Sequence, residues 1–408
     1  MSETYFTITV FIVLLLIASG VAMLTKWIPV PYTLALVIVG LVISPMHFLP
    51  PVHISPELIL LIFLPALLFE AAWSFKLKQL RENLLPILSL AIVGVGISVA
   101  FIGLIVHYTT GIDWSLALLF GSIISATDPV SVLSLFKRLG APERLTVIIE
   151  GESLFNDGTS VVLFTILLNI ATGAFQFDSV PSLLSHLLGS FLLVVLGGLA
   201  LGAAVGLVAS RLTSYFDDHL LEITLTTIAA YGSFITAERV HVSPVIAVLV
   251  TGFVIGNYGR RRGMSKNTEV AVDSFWEYAA FVVNSLAFLL IGLEIQVLVL
   301  NSFARLIFWA LFAMIVARAF VTYGSFLVLN LITKPVPRSW QHVIIWGGLR
   351  GALSIALALS LPLDLPYRLQ LIMMTFGAVT FSLLLQGLTI SPLLKVLKLT
   401  PQETTGAR

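Results

Sequence analysis

Ser153 and Asp157 stand four residues apart in the segment Glu150-Gly-Glu-Ser-Leu-Phe-Asn-Asp-Gly158. On a helix that spacing puts a hydroxyl and a carboxylate on one face, with Glu152 and Asn156 on the adjacent face. Glu150 is seven residues before Asp157, nearer the end of the segment. A hydroxyl one turn from a carboxylate offers two hard oxygen ligands. Such a set suits Na⁺ or Li⁺ and does not suit soft metals. A second polar interruption precedes it, Ser125-Ala-Thr-Asp-Pro-Val-Ser131. Pro129 cannot donate to the preceding turn and clashes with it. Thr127 and Asp128 can cap a new helix with Pro129 as its first residue, giving two half-helices. The break would free backbone carbonyls, so that Thr127, Ser153 and Asp157 together could hold a dehydrated Na⁺. Asp128 would offset the positive end of the second half-helix. A proline kink with a buried cap and no ligand role is the alternative for the Thr-Asp-Pro stretch taken alone. Asp157 taken alone has one too, a buried neutral carboxyl held by hydrogen bonds.

These polar residues lie in apolar surroundings. Of 408 residues 58% are hydrophobic and only 11% charged, against about 25% charged in ordinary soluble domains. Lipid must therefore be the solvent for much of the chain. A net charge of +1 offers nucleic acid no field, and the lack of cysteine excludes disulfides, thiolate metal sites and thiol catalysis. The seven histidines show no ligand spacing. No Walker loop or GxGxxG points to ATP, and no cofactor or soluble partner is implied. The N-terminus lacks the positive start of a signal peptide, so the first apolar run reads as a retained helix.

Segments of about 20 apolar residues occur at 5–25, 31–48, 55–74, 84–108, 114–136, 144–170, 181–211, 218–237, 243–258, 273–297, 303–330, 340–361 and 368–394. With the N-terminus outside, 17 of the 22 Lys and Arg fall in inner segments, as the positive-inside rule requires. Arg239 and Arg368 lie outside, and Arg305, Arg318 and Arg350 within spans. We expect thirteen spans, a cytoplasmic C-terminus and no soluble C-terminal domain. Six spans, a spacer and six more would make an inverted repeat, 5–170 against 218–394, with 181–211 as linker. The fifth and twelfth spans then correspond. Both are interrupted at mid-span, the twelfth by Gly347-Gly-Leu-Arg-Gly351.

Charges inside hydrocarbon are costly and mark function by default. Arg350 would offset negative half-helix ends as Asp128 offsets positive ones. Arg318 needs a partner, and Glu152 is the best available, since Asp157 must stay free to bind. Glu70 either gates cation entry or snorkels near Lys76 and Lys78. Glu222 and Glu277 are expected at the interface, and Arg260–Arg262 as a positive-inside anchor.

Ala126-Thr-Asp-Pro-Val130 and Glu150-Gly-Glu-Ser-Leu-Phe-Asn-Asp-Gly-Thr159 resemble the sodium/proton exchanger branch of the monovalent cation:proton antiporters, which includes NhaP-type proteins and the animal and plant exchangers. Phe63-Leu-Pro-Ala-Leu-Leu-Phe-Glu70, Phe288-Leu-Leu-Ile-Gly-Leu-Glu294 and Gly347-Gly-Leu-Arg-Gly-Ala352 fit the same pattern. The resemblance implies an all-α, NhaA-like antiporter fold of about thirteen transmembrane helices, with six-helix inverted repeats and two discontinuous crossing helices. It implies a homodimer, an elevator-like movement, and an ion site of Thr127, Asp128, Ser153, Asn156 and Asp157. Glu70 matches the family's third-helix carboxylate, and Arg318 its arginine paired at Glu152. The long cytoplasmic tail of animal members is missing from the pattern.

The expected activity is secondary active exchange of Na⁺ (or Li⁺) for H⁺ in an alternating-access cycle, serving pH homeostasis at the plasma or inner membrane. Asp157 would take either a proton or a cation. Asn156, where some relatives carry a second aspartate, leaves one titrating charge and so favours electroneutral one-for-one exchange. K⁺/H⁺ exchange is the alternative within the class. A sodium-coupled symporter of organic anions would want a roomy polar cavity and more ligands. An intramembrane aspartyl protease would want a GxGD motif, which is missing.

Overall fold

The computed structural model describes residues 3–27, 30–46, 56–173, 180–215, 217–295 and 297–399. The expected start of the third span at 55, the ends of the second at 47–48 and of the tenth at 296, and Arg408 lie outside these residues. The described residues are helical throughout their elements, with no strand.

The helices run in chain order as follows. They are α1 (Glu3–Leu24), α2 (Tyr32–Met46), α3 (Leu58–Ser74), the short α4 (Leu77–Glu82) and α5 (Leu84–Thr110). The first broken pair is α6 (Trp114–Ser125) and α7 (Val130–Leu139). Then come α8 (Glu143–Ala171), α9 (Val180–Thr213), α10 (His219–Arg239), α11 (Pro244–Val254, continuing helically to 263) and α12 (Lys266–Glu294). The short α13 (Val297–Ser302) and the long α14 (Ala304–Ile332) follow. The second broken pair is α15 (Arg338–Trp346) and α16 (Ala352–Leu359), and α17 (Arg368–Val396) closes the chain. Among the described residues 8 helical segments, the α6–α7 stretch included, are long and apolar enough to cross a membrane. The protein is an integral, multi-pass membrane protein.

Helix starts follow local chemistry. Asp218 accepts from Leu220 N at 2.8 Å, Ser243 from Ile246 N at 3.2 Å and Ser265 from Thr268 N at 3.4 Å. Each cap is worth about 1 kcal/mol.

Two packing groups emerge. In the first, α2 and α1 lie on α12, while α3, α9 and α10 lie on α11. Gly40 of α2 meets Gly292 of α12 so closely that a Cβ on either would overlap the other helix's backbone, the small-residue contact that lets membrane helices approach. At one end of this group Trp73 donates to Asp273 at 2.6 Å, and Arg260 pairs with Asp273 and Glu269 while lying over the Trp73 ring. Of the expected anchor Arg260–Arg262, only Arg261 and Arg262 are exposed; Arg260 joins three helices. In the second group α5 packs on α6 and α14, α6 on α8, and α17 on α14 and α16. Arg144 ties one end of this group together, donating to Asn83 Oδ1 at 2.9 Å and to the carbonyls of Lys334 and Pro335 at 2.8 and 3.1 Å.

Candidate ion-binding site

The two breaks face each other. Residues 126–129 and 347–351 are non-helical, and the Asp128 N–H donates to Leu349 O at 2.8 Å across the gap. The second half-helix starts at Val130, one residue later than expected from Pro129. Asp128 Oδ1 accepts from Val130 N at 3.1 Å, so Asp128 still caps this helix start as expected. An acid at this helix start is favourable toward the positive end of the α7 dipole. Arg350 does the converse at α6. Its Nη1 donates to Ser125 O at 3.1 Å and Ala126 O at 3.2 Å, the carbonyls at the negative end of that half-helix. The Arg350 N–H is held by Ser382 Oγ at 3.0 Å. Gly351 is needed here, because a Cβ on it would overlap the Asp128 side chain.

Helix α8 runs unbroken past this crossing and supplies the remaining groups. Ser153 Oγ donates to Thr127 O. Asn156 Nδ2 donates to Ser125 O at 2.9 Å and to Thr127 Oγ1 at 3.1 Å, and its Oδ1 accepts from Ser160 Oγ at 2.8 Å. Its polar groups are thus spent holding the first break against α8. The carbonyls freed by that break are already engaged. Ser125 O accepts from Asn156 and Arg350, Ala126 O from Arg350, and Thr127 O from Ser153. Asp157 is different: its Oδ1 is buried and has no hydrogen-bond partner among the described residues.

Asp157, Asp128, Thr127 and Ser153 line one cavity of about 340 Å³ between the two packing groups. Glu70 and Glu150 line it as well, with Lys137 the one cation among the lining residues. The wall continues through Asn284 of α12 and Ser354 of α16, neither of them singled out in the sequence. Asn284 sits in an apolar stretch of α12, and Ser354 in an Ala/Leu run, so neither has a neighbour that would flag it. The carboxylates outnumber the lysine, which makes the cavity attractive to cations. Glu70 faces this space and accepts from Ser74 Oγ at 3.4 Å.

Arg318 is held beside the site. Its Nη1 and Nη2 donate to the two oxygens of Glu152, the second at 2.9 Å, and Nη2 also donates to Ile344 O at 3.0 Å. Both side chains are buried. Bidentate, charge-assisted geometry of this kind is the strong form of the contact. Glu222, in the first turn of α10, is fully covered by protein, with neither carboxylate oxygen partnered among the described residues. Its face of α10 is turned into the bundle, where Thr226 one turn later accepts from Trp276 Nε1 at 3.2 Å. Glu277 is exposed.

Comparison with known proteins agrees with this architecture. Residues 10–396 match the sodium/hydrogen exchanger transmembrane family. The Na⁺/H⁺ antiporter ApNhaP of Aphanothece halophytica is 45% identical over 395 residues, spanning 95% of this chain and 74% of that protein. The low-affinity Na⁺/H⁺ antiporter NhaS1 of Synechocystis is 42% identical over 398 residues, with the same coverage of 95% and 74%. The structure of the sodium proton antiporter MjNhaP1 from Methanocaldococcus jannaschii superposes with a TM-score of 0.80 at 20% identity, covering 97% of this chain and 99% of that one. That likeness is one of fold. A multi-pass bundle with two facing helix breaks, matched across nearly its whole length, belongs to a transporter: this chain is a member of the sodium/hydrogen exchanger family.

Proposed function

We propose that the protein exchanges Na⁺ (or Li⁺) for H⁺ by competition of the two ions for Asp157. The observation that carries this is the unpartnered, buried Asp157 Oδ1 in an acidic cavity beside the Thr127–Asp128 break. Its relatives ApNhaP and NhaS1, both Na⁺/H⁺ antiporters, support it. Asp157, with the oxygens of Ser153 and Thr127 near it, holds the cation. Asp128 adds negative charge, Asn156 fixes the break, and Glu152 with Arg318 forms a structural pair. Moving an uncompensated carboxylate across the bilayer core is costly. The proton-loaded and cation-loaded forms therefore cross and the bare anion does not, which couples the two flows. With Asn156 neutral, one carboxylate charge is exchanged per cycle, and transport is electroneutral, one H⁺ for one Na⁺.

The architecture in this proposal is thirteen crossings in two inverted repeats, 5–170 and 218–394, joined by the linker helix at 181–211. The N-terminus is outside and the C-terminus in the cytoplasm of the plasma or inner membrane. The first packing group is the scaffold of a homodimer, and the second moves against it. Lys137, exposed near the end of α7, lines the cavity with Glu70 and Glu150, which supports a cytoplasmic opening by the positive-inside rule, with both carboxylates on the cation's entry path.

The test is transport in everted vesicles, with ΔpH followed by a fluorescent dye on addition of Na⁺, Li⁺ or K⁺. Na⁺ and Li⁺ are expected to dissipate the gradient. Dissipation by K⁺ alone would replace Na⁺ with K⁺, and no response to any of the three would reject exchange.

A further inference from the structure

Ser354 has an unusual hydroxyl for this protein. Buried serines and threonines inside its helices generally return their hydroxyl to a carbonyl one turn back. Ser125 does so to Gly121 O at 2.6 Å, Thr375 to Leu371 O at 2.9 Å and Ser382 to Val379 O at 2.9 Å. Ser354 is the third residue of α16, so the positions three and four before it, Gly351 and Arg350, belong to the non-helical break. No helical carbonyl lies within reach in the usual register. Its Oγ is completely buried and has no hydrogen-bond partner among the described residues. Ser354 also lines the cavity that contains Asp157. Of the buried polar side-chain atoms without partners among the described residues, two belong to residues that line that cavity, Asp157 and Ser354.

A buried hydroxyl left unpaired is costly, and native structures keep such groups where something else satisfies them. A small dehydrated cation at Asp157 would do so, since a serine oxygen is a hard ligand of the kind Na⁺ takes. From this we infer that Ser354 is a ligand of the transported cation and a determinant of its affinity, an inference that rests on the function proposed above. The second broken helix then contributes an oxygen of its own. The cation is bound between α8 and α16, and Ser153 and Ser354 present hydroxyls from the two halves of the chain.

The experiment uses the full chain, purified and reconstituted in proteoliposomes, with Ser354→Ala, Ser354→Thr, Ser354→Cys and Asp157→Asn. Exchange is measured against Na⁺ concentration at fixed pH, and the melting temperature in detergent is recorded with and without Na⁺. Loss of one hydrogen-bonding ligand to a charged group corresponds to a rise in the apparent KM for Na⁺ on the order of 10-fold. Ser354→Ala is expected to show that rise at a near wild-type maximal rate, with a smaller Na⁺-induced gain in melting temperature. Ser354→Thr, which keeps the hydroxyl, is expected to behave as wild type. Wild-type KM and wild-type stabilisation by Na⁺ in Ser354→Ala would overturn the inference while leaving Asp157 untouched. Equal losses in the Ala and Thr variants would overturn it too, since they would point to packing. If Ser354→Ala is unstable without Na⁺, Ser354→Cys decides: it keeps the volume and replaces a hard oxygen with a soft sulfur. A raised KM in it supports the ligand role and an unchanged KM rejects it. Retained exchange in Asp157→Asn would instead reject the underlying function.

Discussion

Glu152 has two guanidinium groups to neutralise. Arg318 bonds it directly at both oxygens, and Arg350 lies within electrostatic reach of both Arg318 and Glu152. Arg318 is 9% exposed and Arg350 only 3%, so neither can hand its charge to solvent. Glu152→Ala therefore leaves the buried Arg318 without its carboxylate, with a second buried cation, Arg350, within electrostatic reach. Arg318→Ala leaves one carboxylate with Arg350 still within electrostatic reach. At an effective dielectric of about 20, a unit-charge pair at about 4 Å is worth roughly 4 kcal/mol, and removing one partner of a buried pair costs about 3–5 kcal/mol. The two single variants should both melt well below wild type, with Glu152→Ala the lower. Glu152→Leu combined with Arg318→Met removes both charges and keeps the volume. It should recover much of the loss, because exchanging a whole buried pair for apolar groups is often near neutral. The assay is the apparent melting temperature of the purified protein in one detergent at one heating rate, since unfolding of such a protein is read as a rate. Single variants that melt like wild type, or a double variant below both singles, would show that the pair does not hold the fold together.

Three further outcomes are expected. Gly351→Ala should abolish or sharply reduce exchange while the protein still inserts, because the new methyl displaces the Asp128 carboxylate; a wild-type rate in vesicles would contradict this. Asn156→Ala strips partners from Ser125 O, Thr127 Oγ1 and Ser160 Oγ, at about 1–3 kcal/mol for a buried polar group left unpaired; an unchanged melting temperature would count against its clamping role. Electroneutral exchange should be indifferent to voltage. A valinomycin-set potential without a pH gradient should drive no accumulation of radioactive sodium in proteoliposomes, and potential-driven uptake would reject one-for-one coupling.

Much of the site was legible because charge and helix breakers are rare in a chain this apolar. Pro129 and the run Gly347–Gly351 located both breaks, and the four-residue spacing placed Ser153 with Asp157 and Glu152 with Asn156. The crossing of the breaks was not legible: the Asp128 N–H to Leu349 O bond joins residues more than two hundred positions apart. The family resemblance, not the spacing, made Asn156 part of the expected ion site; its amide bonds Ser125, Thr127 and Ser160. Ser354 was silent for the opposite reason. Its importance lies in a missing intrahelical bond, which only the exact start of α16 determines. The place of Glu222 near a helix end was legible, but its burial was not, because rotation about the helix axis decides it and the packing of α10 fixes that.

In the function proposed above, Asp157 carries the exchanged ion. Because its buried Oδ1 makes no hydrogen bond among the described residues, Asp157→Asn breaks none there and the variant should melt no lower than wild type. A carboxamide cannot release a proton, so dye-reported collapse of ΔpH on adding Na⁺ to vesicles should be lost. A folded Asp157→Asn variant that collapses the gradient at the wild-type rate would contradict the account.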